Sequence, residues 1–249
     1  MRCIWIVGFV CSTLCATDAQ TQVGVEQYAA ALREENPDAR SRLLNEALEV
    51  FLTHEGKKPS GQLLYNIGNC SFHLGDLGSS IAYYRRAEVQ LPRSHRVIKN
   101  LTIALQRAEV EGKQIYAPMA DFLGARWLSP FERGLVSIGL IAATLLFFSL
   151  HLWLPRCGFR WVWRMSALIT AVFLINLSVY ALFMPLRAVV VRESPLQMSV
   201  DPDAESLSRL SPGEMVSVVS YHADGQLVEV QTAMDVRGYL PVSKIVVIR

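Results

Sequence analysis

The sequence predicts three structural classes in one chain: an α-helical block, a two-helix transmembrane hairpin and a small all-β barrel. Three observations carry this. Apolar residues recur at helical spacing through 21–112, two later stretches of more than twenty residues hold no Asp, Glu, Lys or Arg, and the closing segment switches to period two. The apolar share, 51% of 249 residues, is high enough to place part of the chain in lipid. Net charge is only +2, and the lysines and arginines are scattered instead of gathered, which argues against nucleic acid as a partner.

The first residues have the pattern of an export signal. Arg2 supplies a positive start, Cys3 to Cys15 form the apolar run, and Ala16 to Gln20 turn small and polar. The predicted signal peptide is 1–19, with Thr17 and Ala19 as the small residues at the cleavage offsets. A lipid-acylated Cys15 needs a small residue before it, and Leu14 is not one. Cleavage leaves Cys70 and Cys157, which the predicted topology puts on opposite sides of the membrane, so no disulfide is expected.

From Thr21 to Gly112 the apolar spacing reads as paired helices. Val25–Glu35 and Asp38–His54 are broken at Asn36 and Pro37, with Tyr28, Leu32, Leu43, Leu44, Ala47, Leu48 and Phe51 as the expected buried set. After a Gly/Lys/Pro loop come Gln62–Leu74, a Gly75-Asp76 turn, and Leu77–Leu91 stopped by Pro92. A last helix, His95–Glu111, carries Ile98, Leu101, Leu105 and Ala108 along one face.

Within this block Leu64, Ile67, Gly68, Gly75, Ser80, Tyr84, Ala87 and Pro92 fall at the offsets of a tetratricopeptide repeat, and the segment 61–94 resembles that family. The residue types suit a helix pair: Gly68, Ser80 and Ala87 let the helices approach, Tyr84 fills the seam, and Pro92 ends the second helix. The resemblance implies a protein or peptide ligand on the inner surface, carried by Gln62, Tyr65, Asn69, Phe72 and His73. Asn69 and Asn100 stand where peptide-binding members hold a ligand's backbone or carboxylate; two readings stay open, that role or ordinary solvated asparagines. Arg85, Arg86, Arg93, Arg96 and Lys99 near the groove favour an acidic ligand.

A juxtamembrane segment, 113–133, leads to two predicted transmembrane helices, 134–154 and 165–186, each long enough at 1.5 Å per residue to cross ~30 Å of hydrocarbon. The connector 155–164 holds Arg156, Arg160 and Arg164 without an acid, and Trp153, Trp161 and Trp163 stand at the same level, so this loop is expected to be cytoplasmic. Both termini then lie outside. Gly139 and Ala143 form a small-xxx-small pair expected to meet Ser178 and Ala181, and Asn176 suits interhelical packing better than an ion path, since no carboxylate stands near it.

The segment 188–249 reads as a small barrel. Val216–Tyr221 and Leu227–Ala233 form a hairpin, and Arg237–Leu240 and Ile245–Ile248 add two strands. LSPGEMVSVV, the hairpin and Gly238-Tyr239-Leu240-Pro241 before Ile245 resemble the bacterial SH3-like domains. That resemblance implies a groove in which Tyr221 and Tyr239 are the aromatic candidates, and relatives that contact cell-wall peptides or proteins.

The whole order, with its L-Y-N-x-G-N-x-x-F-x-L-G-D core at Leu64 to Asp76 and N-L-x-x-A at Asn100 to Ala104, resembles the BatE-like members of the Bacteroides aerotolerance (Bat) group. The resemblance implies a place in the bacterial inner membrane, beside proteins with von Willebrand A domains and a MoxR-type AAA ATPase, in a system linked to envelope stress. Enzyme motifs are missing from the sequence. His54, His73, His95, His151 and His222 include no i, i+4 pair, and C-x-x-C, the phosphate-binding glycine loop and G-x-S-x-G do not occur. Asp201, Asp203 and Glu205 lack the rest of a calcium loop. The sequence therefore points to a non-enzymatic membrane-anchored scaffold with no metal or cofactor, or alternatively to a peptidoglycan receptor acting through the barrel.

Overall fold

Local signals at the helix ends explain where several helices of the first block begin. The structure is a computed structural model that describes residues 21–56, 59–110, 112, 128–153, 157–183, 186–200, 205–222 and 225–248. The predicted signal peptide, most of the juxtamembrane segment, Asp201 and Asp203 lie outside these. The described residues divide between two units: the parts before and after the apolar helices together, and the apolar helices themselves.

Helix α1 covers 21–31 and α2 is Pro37–Thr53. Asn36 caps α2, its side-chain oxygen accepting from the amides of Asp38 (2.9 Å) and Ala39 (3.3 Å), while Pro37 occupies the first turn, where no amide donor is required. Helices α3 (Gly61–His73) and α4 (Leu77–Gln90) meet at Gly75-Asp76. Gly75, at φ +83°, lets the Asp76 amide reach back to the Ser71 carbonyl at 2.9 Å, closing α3. The Asp76 carboxylate then accepts from the Ser79 amide at 3.0 Å, opening α4. Asp76 is thus spent on the turn. Between the two helices, Gly68 lies under the buried Tyr84 ring; a Cβ there would come within 2.6 Å of it.

Helix α5 is His95–Arg107, four residues shorter than expected. Glu109 adopts φ +56° and the Val110 amide returns to the Leu105 carbonyl at 3.2 Å, which ends the helix and turns Val110 inward, 1% exposed. Two expected core residues face solvent. Leu32 is 49% exposed because α1 has ended, and Ala31 is buried instead; Ile98 is 41% exposed because Val97 takes the packing position beneath α4.

The last segment forms a seven-stranded antiparallel sheet of order β3-β2-β6-β5-β4-β1-β7. Its strands are β1 (Leu186–Val190), β2 (Ser194–Gln197), β3 (Ser206–Leu210), β4 (Met215–His222), β5 (Leu227–Thr232), β6 (Arg237–Pro241) and β7 (Ile245–Ile248). Strands β1, β2 and β3 are additions to the sequence reading, and each hides for a physical reason. β1 runs on from the second apolar stretch, β2 contains Pro195, and β3 is exposed along four of its five residues, leaving no apolar alternation.

β1 and β7 pack on both faces. Ala188, Val190 and Ile245 enter the core of the sheet with Leu196, Val216, Val228, Val230 and Leu240. Val189 turns the other way and shares a second core with Ile81, Leu101, Ala104, Leu105 and Val110, against which Val191, Val246 and Ile248 also pack. The sheet is therefore seated on α4 and the turn after α5. Gly78 at the start of α4 meets the backbone of Val191, and Gly213 meets Ile81.

The second unit is a helical hairpin, α6 (Pro130–Trp153) and α7 (Cys157–Phe183), both long and apolar enough to cross a membrane. α6 begins four residues earlier than predicted because Ser129 and Glu132 form a capping box: the Ser129 amide donates to the Glu132 carboxylate at 2.8 Å and the Glu132 amide to the Ser129 hydroxyl at 3.3 Å. Cys157 to Arg164, read from sequence as loop, are helical. The expected Gly139 contact does not occur, since a Cβ at Gly139 would meet nothing within 4 Å. The helices are instead joined by hydroxyls. Thr144 Oγ1 lies 2.9 Å from both Ser166 Oγ and Thr170 Oγ1, and Thr170 reaches the Leu140 carbonyl at 3.3 Å. Thr170→Val is expected to weaken the hairpin by about 1 kcal/mol in a detergent unfolding assay. Gly139→Ile should leave it unchanged, and the reverse order would contradict this register.

Candidate functional site

Helices α1, α3 and α5 bring aromatic and cationic side chains to one surface. The Tyr28 and His73 rings are 5.9 Å apart, the His73 ring stands edge-on to Phe72 at 5.8 Å, and the Arg107 guanidinium lies over the Phe72 ring at 4.5 Å. His73 and Arg107 are exposed, while Tyr28 and Phe72 are half-buried. Partial burial, with the positive charges of Arg107 and Arg40, holds the His73 imidazole below its ordinary value, so it is neutral at neutral pH and leaves the surface its two arginines.

Beneath this surface runs a polar network. Asn69, only 7% exposed, accepts at Oδ1 from the Tyr84 hydroxyl (2.8 Å) and from Asn100 Nδ2 (3.0 Å), and Asn100 Nδ2 also reaches the Tyr65 hydroxyl at 3.0 Å. These four residues tie α3, α4 and α5 together. The structure therefore groups Tyr65, Asn69 and Asn100, as the sequence reading did, but turns their polar groups toward one another. Gln62 stands apart and donates to Asn66 at 3.1 Å. Of the packing residues, Leu64, Ile67, Gly68, Ser80, Tyr84 and Ala87 are buried and Pro92 half-buried beyond the end of α4.

The cations on the surface are not those singled out from sequence. Arg85 pairs with Glu88 at 2.9 Å, and Arg86 pairs with Glu55 and lies over the Tyr83 ring at 5.3 Å. Tyr28, Arg40 and Arg107 were missed because each belongs to a different helix, and no linear motif joins them. Cys70 is fully buried, and burial pushes its thiol up to about 12, which removes it as a nucleophile.

A second polar cluster lies on the sheet. Ser220, Glu229 and Tyr239 are cross-strand neighbours on β4, β5 and β6, and His222 stands edge-on to Tyr239 at 5.3 Å. Ser220 Oγ donates to Glu229 Oε2 at 2.7 Å and lies 2.6 Å from His222 Nε2. A hydroxyl with its one proton given to Glu229 can only accept from the imidazole. The hydroxyl is thus not activated for attack, and the acid meets the same imidazole nitrogen as the serine, unlike a catalytic relay. The Ser220 hydrogen bond, with help from His222 and Arg237, keeps the half-buried Glu229 carboxyl below its ordinary range. Tyr221 is in register with Val228, one position away from the Ser220–Glu229 row, so its side chain lies on the opposite side of the sheet from Tyr239. The expected Tyr221–Tyr239 groove does not form; His222 is the partner of Tyr239. The signal was legible in retrospect, as Ser220 and His222 share one face of β4 at i, i+2.

No family model matches the chain, and neither curated proteins nor solved structures give a match to it.

Proposed function

We propose that the chain is a non-enzymatic scaffold anchored in the bacterial inner membrane, whose tetratricopeptide-like helical block captures a partner protein on the outer face. The observation that carries this reading is the Tyr28–His73–Phe72–Arg107 surface, to which three alternate helices contribute and which the Asn69–Asn100 network holds in place. Aromatic rings with flanking arginines are the side chains that dominate protein interfaces, and the arginines suit an acidic segment on the partner. The shared core of α4, β1 and β7 supports a two-pass topology. Segments before and after the apolar helices can pack together only on the same side of the membrane, which requires an even number of crossings. Taken with the resemblance to the Bat group, the partner class is a membrane protein with a von Willebrand A domain, and an ATPase of the MoxR type acts indirectly.

The test uses the full chain, because the helical block and the sheet share a core and neither is expected to fold alone. Wild-type protein in detergent is expected to bind a purified von Willebrand A protein from the same bacterium, and Phe72→Ala or Arg107→Glu to weaken capture by about tenfold or more. Unchanged capture in both variants would remove this face from the reading. The second reading, a cell-wall receptor, is favoured by the Ser220–His222–Glu229–Tyr239 cluster on the SH3-like sheet; co-sedimentation with sacculi that Tyr239→Ala abolishes would select it.

A further inference from the structure

We infer that the loop end of the α6–α7 hairpin holds a site for the phosphodiester headgroup of an anionic phospholipid, built from Arg160, Arg164, Trp163 and His151. The inference rests on the membrane-spanning reading of this hairpin, and four observations point to the ligand.

The first is charge. From Leu154 to Met165 the sequence carries Arg156, Arg160 and Arg164 and no acid, so nothing within this stretch neutralises the guanidinium groups. Arg160 and Arg164 are exposed on the first turns of α7. The second is orientation. The Arg164 guanidinium lies 6.0 Å from the rings of both Trp161 and Trp163, so two aromatic faces hold it in place while its N–H donors stay available.

The third observation lies under the arginine. His151 of α6 stacks on Trp163 of α7 with ring centres 6.1 Å apart and planes 21° from parallel, and Phe148 meets the same indole edge-on at 5.4 Å. Trp163 is therefore fixed from the neighbouring helix. Its Nε1 and the His151 Nδ1 are shielded from solvent and have no hydrogen-bond partner within the hairpin. A polar N–H without an acceptor at the edge of the hydrocarbon is costly. A phosphodiester supplies what is missing, oxygen acceptors and one negative charge, once it shifts the cover over these nitrogens.

The fourth observation chooses the lipid over free phosphate. Trp153 and Trp161 flank the site and are 84% and 63% exposed, at the ends of two long apolar helices. Indoles in that position sit at the headgroup level of a bilayer and cover glycerol and acyl carbons, which inorganic phosphate does not have.

The test reconstitutes the full chain in nanodiscs of phosphatidylcholine mixed with phosphatidylglycerol, and reads the lipids retained on release by native mass spectrometry. Phosphatidylglycerol is expected to be retained over phosphatidylcholine by about tenfold relative to its share of the bilayer, the order that two arginines near an anionic surface provide. The Arg160→Gln/Arg164→Gln variant is expected to lose the preference, and excess inorganic phosphate to leave it intact in the wild type. Equal retention of the two lipids, or a preference that survives the double substitution, would overturn the site. Displacement by inorganic phosphate would overturn the lipid assignment and leave a phosphate site. Failure of the chain to enter nanodiscs at all is seen before any lipid is compared, and it counts against the membrane-spanning reading instead.

Discussion

Gly78→Val is expected to separate the sheet from the helical block. A Cβ at position 78 would stand 2.1 Å from the Val191 carbonyl oxygen and 2.9 Å from its Cα, and both obstacles are backbone. No side-chain rotation relieves such a contact, so α4 or the end of β1 must move by more than an ångström. That displacement opens the core shared by Ile81, Leu105, Val110 and Val189, all of them 6% exposed or less. Partial loss of several such contacts costs about 3 kcal/mol or more. The unfolding of the first unit, followed by circular dichroism in detergent, should change from one transition to two, with the helical signal lost at lower temperature. Gly78→Ala should show the same effect, since the Cβ itself is the clash. A single transition within about 0.5 kcal/mol of wild type would mean that the sheet does not seat on α4 as described.

The second large effect is expected at Asn69. Its side-chain oxygen serves two donors, Tyr84 at 2.8 Å and Asn100 at 3.0 Å, and the Tyr84 ring is 1% exposed. Asn69→Leu keeps the volume and removes the acceptor, leaving a buried hydroxyl without its partner at a cost of about 2–3 kcal/mol. Tyr84→Phe alone should cost about 1 kcal/mol, because Asn69 keeps its bond from Asn100. Combined, the two substitutions should cost less than their sum, since the hydroxyl orphaned by the first is absent in the second. A double-mutant cycle in chemical denaturant reads this coupling. Full additivity would break the network, and an Asn69→Leu protein of wild-type stability that has lost partner capture would restore the residue to direct ligand contact.

These two sites show how far local sequence reaches. The turn at Gly75-Asp76 was readable because a glycine at positive φ and an aspartate cap act within a few residues of chain. The start of α6 was missed although equally local, because Ser129 and Glu132 stand before the apolar run that draws attention. The candidate surface is a different case. Phe72 and His73 could be placed on α3 by helical period, but Tyr28, Arg40 and Arg107 join them only through the way α1, α2, α3 and α5 stack. Asn69 and Asn100 were legible as a pair. Whether their amides meet each other or a ligand depends on a distance set by α3 and α5, which no spacing within either helix encodes.

The sequence by itself determined what nearest-neighbour chemistry controls: where most helices of the first block start and stop, that two stretches are apolar enough to cross a bilayer, and that the tail pairs as a hairpin with two further strands. Tertiary structure alone decided the rest. Val189, Val246 and Ile248 lie on the outer faces of strands that a period-two reading leaves in solvent, or that the neighbouring apolar helix absorbs. Val189 is buried and the other two are half-buried because a helical block on the far side of the membrane hairpin in sequence offers Ile81, Leu105 and Val110 as a complementary face. Burial of apolar area depends on which surfaces meet in space, and two segments held apart in sequence by a membrane hairpin carry no local signal that they will meet.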